Sequence, residues 1–184
     1  MNITVYLGSS KGNHPCYEQF AKELGTYLAQ NGHTLVYGGS RTGLMGILAE
    51  TVLAQGGRVV GVETRFFVEK EMQQPGLSRL LITKTMAERK AKMLELGDVF
   101  LAFPGGVGTL EEISEVMAKQ KLGLITKPFA FLDVNGFYQP LKAALQQMVQ
   151  EGFLGEDWFQ DVPFLSTLEQ VAQFIAQAAP LVAE

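Results

Sequence analysis

A single α/β domain spanning residues 1–184, built on a doubly wound, Rossmann-like parallel sheet, is the fold that this sequence predicts. Three observations predict it. Strand-length apolar runs alternate with helical patterns from one end of the chain to the other. The run Val99-Phe100-Leu101-Ala102-Phe103 is apolar throughout, as a strand covered on both faces tends to be. Three turns rich in glycine or serine, Gly8-Ser9-Ser10, Gly38-Gly39-Ser40 and Gly105-Gly106-Val107-Gly108, each follow such a strand. Strands joined by crossover helices form a parallel sheet with right-handed connections. Ligands of such sheets bind beyond the carboxyl ends of the strands, so the three turns are expected to converge on one cleft.

Taken in order, Ile3–Gly8 is the first strand. Pro15–Asn31 carries Phe20, Leu24, Tyr27 and Leu28 at helical spacing, and Asn31-Gly32 closes it. Thr34–Tyr37 is the second strand, and a helix from Gly43 to Gln55 stops at Gly56-Gly57. Arg58–Val62 is the third strand, and residues 64–78, with Pro75-Gly76, read as a loop holding at most one helical turn. Leu80–Thr83 is a strand and Met86–Leu96 a helix. Behind the fifth strand and its glycine turn, Thr109–Leu122 is helical. Phe129–Leu132, a helix over Phe137–Glu151 and a short strand at Phe164-Leu165 follow. Ser166, three residues before Glu169, marks a capping box for a last helix, Leu168–Ala178.

Composition narrows the class. Net charge is −4 and no long basic run occurs, which argues against a nucleic-acid or membrane surface. Cys16 stands alone, so neither an internal disulfide nor a cysteine-based metal cluster is available. No apolar run approaches the about 20 residues of a membrane span, and the N-terminus lacks a signal-peptide pattern. A cytoplasmic enzyme is the expectation.

The most informative segment is Pro104-Gly105-Gly106-Val107-Gly108-Thr109-Leu110-Glu111-Glu112. Its glycines let the backbone approach a ligand closely. The helix behind them presents unpaired N–H groups and the positive end of its dipole, a natural seat for a phosphate. Glu112 lies one turn further on. Two readings of it stay open: a carboxylate for chemistry, or the partner of Thr109 in a capping box with Thr109 as N-cap. Glu111 is expected in solvent, and Glu115 sits one turn beyond Glu112.

On the Met86–Leu96 helix, Glu88, Lys92 and Glu95 form a solvated face, whereas Arg89 and Lys90 align with Met86, Met93 and the leucines. Cations on an apolar face call for an anionic partner, which a bound phosphate would supply, or else snorkel to the rim. His14 and His33 are isolated and read as loop or surface residues. Gly39-Ser40-Arg41-Thr42-Gly43 only loosely matches a dinucleotide fingerprint, and no Gly-x-Ser-x-Gly elbow is present.

From about residue 3 to 175 the chain resembles the Lonely Guy (LOG) family of cytokinin riboside 5′-monophosphate phosphoribohydrolases, long mislabelled as lysine decarboxylases. The resemblance rests on Val5-Tyr6-Leu7-Gly8-Ser9-Ser10, Tyr37-Gly38-Gly39 to Gly43-Leu44-Met45-Gly46, Met86 to Lys90, Pro104–Glu112, Lys127-Pro128 and Gly136-Phe137-Tyr138. It implies hydrolysis of the N-glycosidic bond of an N6-substituted AMP, giving free base and ribose 5-phosphate. Arg89 and Glu112 would be catalytic. Gly105, Gly106, Val107, Gly108, Thr109 and Lys90 would contact the nucleotide, and so would an earlier glutamate that falls on Glu71. Gly8, Ser9, Gly39 and Met86 complete the expected binding set.

The same resemblance points to a small-molecule nucleotide substrate and a homodimer, with Ile113, Val116 and Met117 on the associating surface. No metal or organic cofactor is implied. Two other functions fit the residues: a broader nucleoside 5′-monophosphate nucleosidase, and a non-catalytic nucleotide or pterin-phosphate binding protein. Ala87, Ala118 and Lys119 depart from the family pattern, which puts the wall of the base pocket in question. No residue of the sequence offers itself as the acid that protonates the leaving base.

Overall fold

A computed structural model describes residues 1–70 and 72–182. Its strands are β1 (Asn2–Tyr6), β2 (Thr34–Tyr37), β3 (Arg58–Thr64), β4 (Arg79–Thr83), β5 (Val99–Ala102), β6 (Phe129–Leu132) and β7 (Phe164–Leu165). They form one sheet in the order β4-β3-β2-β1-β5-β6-β7, and every neighbouring pair is parallel. The chain winds outward from β1 to β4, crosses back, and winds outward again from β5. The reversal lies between β1 and β5, where connections leave for opposite faces and open a crevice.

The helices are α1 (Pro15–Gln30), α2 (Gly43–Ala54), α3 (Arg65–Val68), α4 (Met86–Leu96), α5 (Val107–Lys121), α6 (Gln139–Gln150), α7 (Glu156–Gln160) and α8 (Leu168–Val182). Side chains alternate across the sheet as strand geometry requires. Ile3 and Val5 pack with Leu24 and Leu28 of α1, Leu48 and Val52 of α2, and Ile175 of α8. Tyr6, Phe100 and Ala102 pack on the other side with Met93 of α4 and Ile113 and Val116 of α5. Both faces are therefore covered, as the apolar strands predict. Each fully buried aliphatic side chain of this kind stabilises the fold by about 1.5–3 kcal/mol.

Several boundaries differ from the sequence reading, each for a physical reason. The third strand runs on to Thr64, because Glu63 breaks the apolar pattern without leaving the sheet. The expected loop contains the single turn α3, and an isolated bridge joins Ser40 to Gln73. Helix α7 carries no amphipathic signal in its five residues, but seats Phe159 in the core and lets Trp158 Nε1 donate to Gln120 Oε1 at 3.1 Å. The cap of α8 falls one residue later than expected. Gln170 N–H donates to Thr167 Oγ1 at 3.3 Å, while Gln170 Oε1 accepts from Ser166 N–H at 2.7 Å. Ile113 and Val116, expected on an associating surface, are core residues.

Candidate active site

The glycine turn hangs from the end of β5 by a set of backbone ties. Phe103 N–H donates to Tyr6 O at 2.8 Å, and Gly8 N–H donates to Pro104 O at 3.3 Å. The Tyr138 hydroxyl donates to Phe103 O at 2.8 Å. Gly105 cannot be replaced without movement, since a Cβ there would stand 2.1 Å from Thr109 Oγ1. Helix α5 opens at Val107 with Gly106 as its N-cap, and its first intrahelical bond runs from Leu110 N–H to Gly106 O at 3.1 Å. The N–H groups of Val107, Gly108 and Thr109 are thus free of helical partners and face the crevice.

This geometry removes the capping-box reading of Glu112. Thr109 lies inside the first turn and is buried, and among the described residues no side chain caps this helix. Glu112 instead turns toward α4. Its Oε1 accepts from Arg89 Nη1 at 2.9 Å, with both side chains about nine-tenths buried. Arg89 is held on its other edges by the sheet: Nε donates to Val62 O at 2.9 Å and Nη2 to Gly38 O at 3.3 Å. The start of α4 is fixed by Thr85 and Glu88. Glu88 N–H donates to Thr85 Oγ1 at 3.1 Å, and Glu88 Oε2 accepts from Lys84 N–H at 2.8 Å. Glu88 is therefore a capping residue, and of the expected charged face only Lys92 and Glu95 pair.

A second carboxylate completes the cluster. Glu63 Oε1 lies 3.6 Å from Arg89 Nε and accepts from Thr64 N–H at 2.9 Å. Burial pushes the Glu112 and Glu63 carboxyls above the usual glutamate range, and Arg89 only partly offsets that effect. The Tyr6 phenol, at the same edge, is pushed up by burial first and by the charge of Glu112 second.

The cleft encloses about 370 Å³ and gathers residues from all three turns, as expected: Gly8 and Ser9, Gly38 and Ser40, and Gly106 to Thr109. Arg89, Glu112 and Met86 line it too. Gly39 does not. Its φ of +82° makes the turn and a Cβ there would stand 3.1 Å from Glu63 Cβ, while the neighbouring Gly38 meets the cleft. Gly105 supports the turn from behind, between Gly8 and Thr109.

Lys90 is not brought to the cleft. It pairs with Glu111 at 2.6 Å and Glu115 at 3.3 Å, and its ammonium is held above the usual lysine range chiefly by the bond to Glu111. Glu71 lies outside the described residues. Sequence reasoning missed Glu63, whose signal was a lone acid ending the apolar run Val59-Val60-Gly61-Val62. It also missed Met45, Phe67 and Met72, which belong to the apolar part of the wall. Ala118 and Lys119 lie outside that wall, with Lys119 Nζ bonded to Glu115 Oε1 at 2.7 Å.

Fold and site together define an α/β protein whose switch-point cleft sets the unpaired N–H groups of a helix start beside a buried carboxylate–guanidinium pair. Residues 45–175 match the protein-family model described as "Possible lysine decarboxylase". The chain is 41% identical over 155 residues to the cytokinin riboside 5′-monophosphate phosphoribohydrolase LOG of Oryza sativa subsp. japonica, a match covering 84% of this chain and 64% of the rice protein. It is 44% identical over 154 residues to the cytokinin riboside 5′-monophosphate phosphoribohydrolase of Rhodococcoides fascians, covering 83% of this chain and 78% of that protein. The chain belongs to the LOG family.

A molybdenum cofactor binding protein from Rippkaea orientalis shares the fold, with a TM-score of 0.73 at 22% identity over 96% of this chain and 95% of the other. Among the described residues no helix is long and apolar enough to cross a membrane.

Proposed function

We propose that the protein is a hydrolase that cleaves the N-glycosidic bond of N6-substituted adenosine 5′-monophosphates, releasing the free base and ribose 5-phosphate. One observation carries the reading: the Glu112–Arg89 pair, 2.9 Å apart, stands one helical turn behind the unpaired N–H groups of α5 in a single cleft. The names of the rice and Rhodococcoides relatives support the substrate class.

In this reading the 5′-phosphate sits on the N–H groups of Val107, Gly108 and Thr109, where the helix dipole favours it. Cleavage at C1′ develops oxocarbenium character. Glu112 stabilises that charge and takes a proton from the attacking water, by the same logic as in glycoside hydrolysis. Arg89 cannot act as an acid, because a guanidinium does not deprotonate in proteins. It fixes the Glu112 carboxylate and balances its charge. The chain works as one nucleotide-binding unit in the cytoplasm, without metal or organic cofactor, and pairs as a homodimer. Exposed Leu122 and Leu124, behind α5, offer apolar surface for that association. Light scattering at micromolar concentration tests it, and a monomer refutes it.

Incubation with AMP, isopentenyl-AMP and adenosine tests the activity. Free base and ribose 5-phosphate should appear from the nucleotides, with adenosine far slower. Equal rates on adenosine and AMP would remove the phosphate seat, and binding without turnover would favour a carrier.

A further inference from the structure

N-glycosidic cleavage leaves a base that needs a proton, and the site as described so far has no group to give it. Arg89 holds its protons, Glu112 serves the water, and Lys90 is occupied outside the cleft by Glu111 and Glu115. Glu63 remains. It is the penultimate residue of β3, near the carboxyl edge of the sheet, is 3% exposed, and lines the cleft.

Its hydrogen bonds are uneven. Oε1 accepts from Thr64 N–H at 2.9 Å. Arg89 approaches Oε1 only to 3.6 Å, and its Nε–H is already given to Val62 O. Among the described residues no donor reaches Oε2. The guanidinium stands between the carboxyls, with Glu112 on Nη1 and Glu63 on the Nε side. One cation cannot neutralise two buried carboxylates, and a second unpaired charge there is costly. Glu112 holds the short bond to Arg89, so Glu63 is the member that keeps a proton. Burial pushes its carboxyl in the same direction. Tyr37, whose buried hydroxyl has no partner among the described residues and whose phenol is raised by burial and by the Glu63 charge, offers no cation to oppose this.

We propose that the Glu63 carboxyl is the proton donor to the leaving base, an inference that rests on the hydrolase reading above. As the C1′–N9 bond breaks, its electron pair goes to the base. The proton on Glu63 moves to a ring nitrogen of that base, which leaves neutral. Water adds to C1′ and gives its proton to Glu112, and solvent then returns a proton to Glu63 and removes one from Glu112. The sum is one water added across the bond.

The test compares AMP with 4-nitrophenyl β-D-ribofuranoside 5-phosphate, whose nitrophenolate departs without protonation. A general acid contributes about 10²–10⁴-fold, so Glu63→Gln should lower kcat on AMP by about 10²-fold or more. Its loss on the nitrophenyl substrate should be at least about tenfold smaller. Glu112→Gln should lower both. Glu63→Met, an apolar side chain of similar length, should show the same selective loss and covers the case in which the amide fails to fold. Equal loss on both substrates in the variant that folds, or no loss on AMP, overturns the proposal. Wild-type protein that releases neither base nor nitrophenol overturns the hydrolase reading instead, whatever Glu63 does.

Discussion

Gly38 and Arg89 fit together with no room for a side chain: a Cβ on Gly38 would stand 2.0 Å from Arg89 Nη2. The same Nη2 donates to the Gly38 carbonyl at 3.3 Å, so the turn after β2 sets how deep the guanidinium sinks. That depth places Nη1 on Glu112. In Gly38→Ala the guanidinium must withdraw while the sheet stays intact. A misplacement of about 1 Å in a positioned group can cost about 10²-fold, and a loss of that size in kcat/KM for AMP is expected with little change in Tm. An alanine variant at wild-type rate would show that the Arg89 position is not critical.

Glu112→Gln separates chemistry from architecture, because the helix start at Gly106 makes no use of the side chain. The amide can still accept from Arg89 but cannot take a proton from water. Turnover should fall by about 10²–10⁴-fold while AMP binding, followed by calorimetry, persists. Near-normal turnover would return Glu112 to a structural role.

The sheet was legible because its strands are apolar and its turns carry glycine, two signals that depend on local sequence alone. The Arg89–Glu112 pair was legible in part. The apolar face of the Met86–Leu96 pattern shows that a cation there needs an anion or a path to the rim, but the pattern cannot name the anion. The structure supplies a carboxylate from α5, 23 positions away in the chain. The partners of Lys90 were hidden for the same reason: Glu111 and Glu115 sit on that same helix, and a helical wheel of α4 alone cannot show them. Glu63 left only a weak signal, because a single buried acid gives no periodic trace and merely shortens the apparent strand.

The rate should carry an acid limb displaced upward. Burial holds the Glu112 carboxyl above the usual value of 4.5, against the opposing pull of Arg89, with Glu111 adding to the rise and Lys90 subtracting. Since Glu112 must be ionised to act, kcat/KM for AMP should fall as pH drops, with a midpoint above 4.5. A midpoint at or below that value would contradict a buried base. Stability should respond in the opposite sense. For Glu112 and Glu63 the folded chain holds protons more tightly than the unfolded one. Their contribution is full below the unfolded value and is lost as pH rises through the folded values. Urea melts across that range would read this trend.

Selectivity for the base should follow the apolar wall, and not the positions where the sequence departs from its family. Lys119 is engaged with Glu115 at 2.7 Å, outside the cleft, so its charge does not face a bound nucleotide within this chain. Phe67, from α3, lies in the wall beside Met45 and Met72 and packs edge-on against Phe66 at 5.1 Å between ring centroids. An isoprenoid tail on N6 gains from such a surface, whereas the amino group of AMP does not. Loss of one methylene-sized contact is worth about 1–3 kcal/mol, so Phe67→Ala should lower the kcat/KM preference for isopentenyl-AMP over AMP by about tenfold or more. Lys119→Trp should leave that ratio within about twofold, since a side chain outside the pocket adds no differential contact. A ratio that moves with Lys119 and ignores Phe67 would place the tail elsewhere, on a surface that the second copy of a dimer brings to the cleft.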